Sequence, residues 1–312
     1  ARQAVRIMTG AALPRGVDAV IKLEDSERQA DTLIVRRPVS RGTHVQPRGA
    51  EIRRRTVVLR AGEPLTPQRI GTALALGIET AEVVRQPCVA LIAPGDELLP
   101  PGAPLQPGKK WCSNLYALDV RVQELGCRSA NLGIVPDTLE ALLAGLERGR
   151  QADVVVILGA SGRGDHDFAA RAIQELGAEW LFRGVATSPG RSTAVARWQQ
   201  SLIFGLRGSP WATFAGFEAL VRPALRAMLG QRPAVPPVQK AFLTTDVRLR
   251  RGVTQLLPAS LQPRANGWQV TPLATLLDLA GVDTQHLGLL IAPAHRRVLR
   301  QGTAVQVQPC LS

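Results

Sequence analysis

The feature that most constrains this chain is a change of rhythm between residues 87 and 158, where wholly apolar runs alternate with amphipathic ones. Val89 to Ile92 is a continuous apolar run that stops at Pro94-Gly95-Asp96-Glu97. Asn114 to Leu125 has helical periodicity and stops at Gly126, Ser129 to Val135 is again strand-like, residues 137–149 are helical, and residues 153–158 form a further apolar strand. The order is β-α-β-α-β. Strands that are apolar at every position, rather than at alternate ones, must be buried on both faces, so the pattern predicts an α/β domain built on a mostly parallel sheet. Ligands of such sheets sit outside the carboxyl ends of the strands, which points to the loops at 94–97 and 159–167.

The flanking regions have a different texture. Between residues 19 and 59, short runs (Ala19-Val20-Ile21, Leu33-Ile34-Val35, Thr56-Val57-Val58-Leu59) alternate with Gly, Pro and charged turns, which predicts a small β domain. Thr66-Pro67 opens a helix that closes at Gly77, and a strand is expected over residues 81–84. After 168 a helix runs to Gly177, a Gly/Pro/Ser loop spans 184–193, and a final helix covers 211–229. Arg232-Pro233-Ala234-Val235-Pro236-Pro237 cannot continue that helix and reads as a linker to a last β domain.

A length of 312 residues predicts two or three domains. No apolar run approaches the ~20 residues of a membrane span, and residues 1–9 carry no export pattern, so a cytoplasmic protein is expected. The chain begins in mid-pattern without Met, as if an N-terminal segment preceded it. Cys88, Cys112, Cys127 and Cys310 form no C-x-x-C pair and read as reduced thiols. A formal net charge of +13 attracts anions, but aromatic residues are only 4%, which leaves few stacking platforms for nucleic acid and argues against that partner.

Several residues have the right chemistry for an anion or metal site. Gly159-Ala160-Ser161-Gly162-Arg163-Gly164-Asp165-His166-Asp167 follows one strand and precedes a helix, so its amides can approach a phosphate near the positive end of the helix dipole. Asp96, Glu97 and Asp137 follow other strands and are suited to Mg²⁺, although each is also an ordinary cap or turn former. Arg183, Arg191 and Arg207 lie in later loops and could face an oxyanion; for Arg207 a plain surface position is favoured. The four histidines give no zinc spacing, and Ser161 lacks a nucleophile elbow.

The order of these pieces is more specific than any one of them. Arg6-Ile7-Met8-Thr9-Gly10-Ala11-Ala12-Leu13-Pro14, Gly95-Asp96-Glu97-Leu98, Ser113-Asn114, the loop ending Asp167-Phe168, Ser188-Pro189-Gly190-Arg191 and Gly205-Leu206-Arg207-Gly208-Ser209-Pro210 occur in register. The series resembles the molybdopterin molybdenumtransferase family, which includes MoeA and the gephyrin E domain. The resemblance implies a central molybdopterin-binding α/β domain flanked by a β-rich domain, a linking segment and a C-terminal β domain. The corresponding ranges here are 87–231, 1–45, 46–86 and 237–312. It also implies an elongated homodimer whose active site lies between one subunit's α/β domain and the other's β-rich domain. The implied reaction takes adenylylated molybdopterin and molybdate with Mg²⁺ and releases AMP, with the enzyme that adenylylates molybdopterin as a possible partner.

In the family's terms, Glu97, Asp137 and Asp167 are the expected catalytic and metal-holding acids, with Glu51 where an aspartate is usual. Thr9, Gly159, Ser161, Gly164, Pro189, Gly190, Arg191, Gly208 and Ser209 are the expected substrate contacts. There are departures. The family's Gly-Gly-Val-Ser is Gly159-Ala160-Ser161-Gly162, its Lys-Pro-Gly-Lys-Pro is Ser188-Pro189-Gly190-Arg191-Ser192, and its Pro-Gly-Asn-Pro is Arg207-Gly208-Ser209-Pro210. A Met-Asp-Gly-Tyr-Ala motif expected upstream is absent. Two readings remain open at this point: a transferase in which arginines replace the lost lysine, and a diverged relative that binds a pterin, a nucleotide phosphate or a partner protein without turnover.

Overall fold

Five apolar residues in succession, Val154 to Leu158, are all buried, and their side chains alternate between two cores. Val154, Val156 and Leu158 enter one core; Val155 and Ile157 enter the other. A strand buried on both faces is what the continuous apolar run predicts. The computed structural model describes residues 3–159, 168–265, 267–274, 278, 282 and 286–310. The chain forms two compact units, residues 1–60 with 66–77, and residues 61–65 with 78–312.

The larger unit is built on six strands: β1 (Cys88–Pro94), β2 (Arg128–Val135), β3 (Val154–Leu158), β4 (Glu179–Arg183), β5 (Ala194–Trp198) and β6 (Ser201–Leu206). Their spatial order is β2-β1-β3-β6-β5-β4. The first four are parallel, and β5 runs antiparallel to both of its neighbours. Helix α1 (Ser113–Glu124) covers one face through Leu115, Leu118 and Val122, and α2 (Leu139–Arg148) covers the other through Leu139, Leu142 and Leu146. Thr138 caps α2 by accepting a hydrogen bond from the Ala141 amide at 3.2 Å. Each fully buried Leu or Ile contributes roughly 1.5–3 kcal/mol by leaving water, so a truncation such as Leu91→Ala inside β1 costs about 2–5 kcal/mol.

The expected last helix is present over residues 210–228, but a π-turn at Phe217–Val221 interrupts its α-helical repeat. Beyond it, strands Gln239–Leu243, Thr254–Arg264, Gly267–Pro272, Leu287–Ala292 and Ala304–Pro309 close on one another as a barrel. The short strand Thr187–Ser188, from the loop between β4 and β5, pairs in parallel with Thr254-Gln255 at the barrel's edge.

The smaller unit differs more from expectation. The hairpin Ser26–Gln29/Thr32–Val35 and the Thr66-capped helix Pro67–Ala75 are present. Ala19-Val20-Ile21 and Thr56-Val57-Val58-Leu59, however, are irregular, and in the larger unit so are residues 81–84. Short β-prone runs do not become strands without a ladder partner, and none of these three has one. Between residues 3 and 86, Ala73 alone is buried.

Candidate functional site

The chain leaves β1 toward one side of the sheet to form β2, then crosses back over β1 to form β3. This reversal opens a crevice at the carboxyl ends of β1 and β3, the place where open α/β sheets bind ligands. A cleft of about 350 Å³ lies there, walled by Ala93 and Pro94 at the end of β1, Leu158 and Gly159 at the end of β3, and Gly208, Ser209 and Pro210 after β6. Gly159 has φ of +100°, and a Cβ on Gly208 would stand 3.3 Å from the Gly159 Cα, so two backbone segments meet here with no side chain between them. Asn114 fixes the far wall: its Nδ2 donates to the Gly208 carbonyl at 2.7 Å and to Thr213 Oγ1 at 3.1 Å. Ser209 precedes Pro210 at the head of the helix over 210–228, so the positive end of that helix faces the crevice.

The acids occupy one rim. Glu97 lines the cleft and pairs with Lys110 at 3.2 Å, with its side chain 47% exposed. Asp96 turns the other way: its Oδ1 accepts the Asp137 amide at 3.2 Å, and its carbonyl accepts Lys109 Nζ at 2.6 Å. Asp137 therefore sits beside this rim but does not line the cleft. Among the described residues no three His, Cys, Asp or Glu side chains converge as metal ligands. Cys112, on the cleft wall, is buried, and burial pushes its thiol pKa up, so it remains a neutral thiol.

A second cleft of about 400 Å³ opens on the other side of Ser209. It is lined by Ser188, Pro189, Arg207, Ser209, Arg250 and Gln255, among others. The pairing of Thr187–Ser188 with Thr254-Gln255 brings the barrel's Arg250 alongside Arg207. Gln255, 6% exposed, steadies the turn by donating from Nε2 to the Arg250 carbonyl at 3.3 Å. Two arginines, two serines and a helix head along one cleft are residue types suited to a small oxyanion.

The arginines differ from the sequence-based expectation. Arg207, expected at the plain surface, lines this cleft. Arg183 instead stacks over the Trp180 ring at 4.9 Å, and neither it nor Arg191 lines either cleft. Arg191 lies on a turn in which its carbonyl accepts the Val185 amide, while Gly190, with φ of +106°, accepts the Thr193 amide and closes the loop. Arg250 was missed because only its place on the barrel's edge gives it a role. Thr9 lies in the smaller unit on an exposed turn ending at Gly10. Glu51, in the same unit, accepts a hydrogen bond from Gln46 at 3.0 Å. Ser161, Gly162, Gly164 and Asp167 lie outside the described residues.

Comparison with known proteins fits this geometry. Residues 1–77 match the MoeA N-terminal region (domain I and II), and residues 90–227 match a probable molybdopterin binding domain. A molybdopterin molybdenumtransferase of Staphylococcus aureus (strain Mu50) is 32% identical over 310 residues, covering 98% of this chain and 73% of that protein. The chain belongs to the molybdopterin molybdenumtransferase family. The Bacillus subtilis (strain 168) molybdopterin molybdenumtransferase is 31% identical over 315 residues, covering 98% of this chain and 72% of its own length. The solved molybdopterin biosynthesis MoeA protein from Pyrococcus horikosii superposes with a TM-score of 0.79 at 30% identity, over 95% of this chain and 72% of that one.

The matched molybdopterin binding region, residues 90–227, includes every residue that walls the first cleft. The second cleft needs the barrel as well. A buried charge cluster holds the barrel to that helix in this member of the family. Glu218, in the π-turn, receives Arg222 Nη1 at 2.8 Å and Arg121 Nε at 2.8 Å. Arg222 also donates to the Pro309 carbonyl at 2.8 Å, Arg121 donates to the Cys310 carbonyl, and Gln308 Nε2 donates to the Glu218 carbonyl at 3.2 Å. Among the described residues no helix is long and apolar enough to cross a membrane.

Proposed function

We propose that this chain performs its family's reaction, molybdenum insertion into adenylylated molybdopterin with release of AMP, by using the two clefts for the two substrates. The pterin phosphate occupies the crevice between Pro94, Gly159 and Gly208, and molybdate occupies the cleft of Arg207 and Arg250. The observation that carries this reading is that Ser209 lines both clefts. A molybdate held in one is thereby delivered to the edge of the other, and orientation of two reactants is itself a large part of a rate enhancement.

Cleavage of a phosphoanhydride depends more on neutralising charge than on a nucleophilic side chain. Backbone amides around Gly159 and Gly208 and the helix head at Ser209 face the charge that develops on the phosphates, with Arg207 in the adjoining cleft. Asn114 holds the Gly208 carbonyl and so keeps this wall in place. Arg250 supplies the cation that Ser188 does not. The Glu97 carboxylate that lines the crevice is a hard oxygen donor of the kind Mg²⁺ takes, since this ion uses one or two carboxylates and completes its shell with phosphate and water, and Asp137, beside the rim, is assigned as the second. Asp167 is the third acid assigned to this role. When bound, the ion would neutralise the phosphate oxygens.

We further infer that the protein works in the cytoplasm as a homodimer, taking its substrate from the enzyme that adenylylates molybdopterin. Ile70 and Leu74, one turn apart on the helix Pro67–Ala75, are 45% and 58% exposed, an apolar pair suited to burial against a second copy. The direct test of the reaction is AMP release from adenylylated molybdopterin with molybdate and Mg²⁺. Molybdate-dependent release supports the assignment, and none from the intact protein rejects it.

A further inference from the structure

Trp111 stands out on the crevice wall. Aromatic residues are 4% of the chain, yet among the described residues this one lines the crevice, and neither cleft has a second aromatic. Its side of the cleft is set by the two-residue strand Lys110–Trp111, which pairs in parallel with Leu98–Leu99 just after the Gly95-Asp96-Glu97 turn. Trp111 is 50% exposed, a large apolar residue left partly in water beside the cleft. It is nevertheless fixed in orientation, because Nε1 donates to the Ala103 carbonyl at 2.9 Å. The polar edge of the ring is therefore satisfied within the protein, and its exposed surface is apolar. Neighbouring Lys110 and Glu97 pair with each other, and both also line the crevice.

We propose that Trp111 is the stacking platform for a planar nitrogen heterocycle of the substrate, positioning it while the phosphates lie toward Gly159 and Gly208. The proposal rests on the crevice being the site of adenylylated molybdopterin, which carries two such rings, the pterin and the adenine. Either ring offers the π-face that indole stacking requires, and a fixed indole loses little entropy in meeting it. A purely structural Trp111 would serve only to cover the loop around Ala103.

The test uses the full chain and three variants: Trp111→Phe, which keeps a π-face; Trp111→Leu, which keeps bulk without one; and Trp111→Ala. Calorimetric titration with AMP and, separately, with 6-hydroxymethylpterin phosphate distinguishes the two rings. For at least one probe, Trp111→Leu and Trp111→Ala should lower affinity roughly tenfold, while Trp111→Phe stays within about threefold. The part of the tryptophan emission that disappears in Trp111→Phe should be the part quenched by the same probe. Equal affinity in wild type and Trp111→Leu for both rings, rescue by leucine as complete as by phenylalanine, or failure of both probes to bind wild type overturns the proposal. An unchanged KM of Trp111→Leu for adenylylated molybdopterin also overturns it while leaving the transferase reading intact. Ring binding that depends on Trp111 in a protein that releases no AMP removes the transferase reading and keeps the platform.

Discussion

Replacing Glu218 by Gln removes one negative charge from a place where two cations depend on it. Glu218 is fully buried, the Arg222 side chain is 1% exposed, and the Arg121 side chain is 12% exposed. With the carboxylate gone, both guanidinium groups keep their desolvation cost and lose a buried charge that offset it, Arg121 retaining the half-exposed Glu124 at 3.1 Å. Removing one partner of such a buried pair costs about 3–5 kcal/mol. In a unit of this size each kcal/mol lowers Tm by about 2–4 °C, so the expected fall is roughly 6–20 °C. Thermal unfolding followed by circular dichroism, with urea unfolding as a second probe, measures it. The triple variant Glu218→Met, Arg121→Met, Arg222→Met removes all three charges together and should recover much of the loss, because the one partner it strands, Glu124, is half exposed to water. A Glu218→Gln protein within about 1 kcal/mol of wild type would refute the claim that this cluster fastens the barrel to the helix over 210–228.

Arg250→Ala should raise the KM for molybdate by roughly ten- to a hundredfold, the loss of a charged hydrogen bond, with a smaller effect on the KM for adenylylated molybdopterin; equal effects on both would remove molybdate from that cleft. Arg191→Ala should leave molybdate KM within about threefold, since Arg191 lines neither cleft. Asp153 has its pKa lowered, chiefly by the hydrogen bond from Arg85 and then by the Cys88 amide at 2.8 Å, against the opposing effect of burial. A lowered folded pKa means that ionised Asp153 stabilises the fold above the unfolded carboxylate value of about 3.9, and that this contribution is lost as pH falls through the folded value. Asp153→Asn should therefore be less stable than wild type at pH 7 and approach it as pH falls from the unfolded carboxylate value of about 3.9 through the lower folded value; a constant difference over that descent would contradict the assignment.

The central α/β domain was legible because strands buried on both faces must be apolar at every position, as Val154 to Leu158 are, while their helices must keep one polar side. Gly159 could be singled out for a related reason, because small residues directly after a strand mark a close backbone approach, whereas Gly208 and Ser209 were marked by the family resemblance alone. The runs at 19–21, 56–59 and 81–84 misled because β-propensity is realised only beside a partner strand, and partners are not written locally. Arg250 could not be found from its neighbours. Its position depends on Thr187–Ser188 joining the barrel edge, a pairing between segments far apart in the chain. In the sequence the Arg250-Arg251 pair contributed only to the excess of positive charge. Trp111 escaped notice because a strand of two residues has no periodicity to read.

The account depends on an oxyanion being held beside Ser209 by Arg207 and Arg250. Diffraction from crystals soaked in molybdate or tungstate, collected to use the metal's anomalous scattering, tests this directly. An anomalous peak is expected between those two guanidinium groups in wild type and lost in Arg250→Ala. A peak elsewhere in the larger unit, or none at that position in wild type, would contradict it.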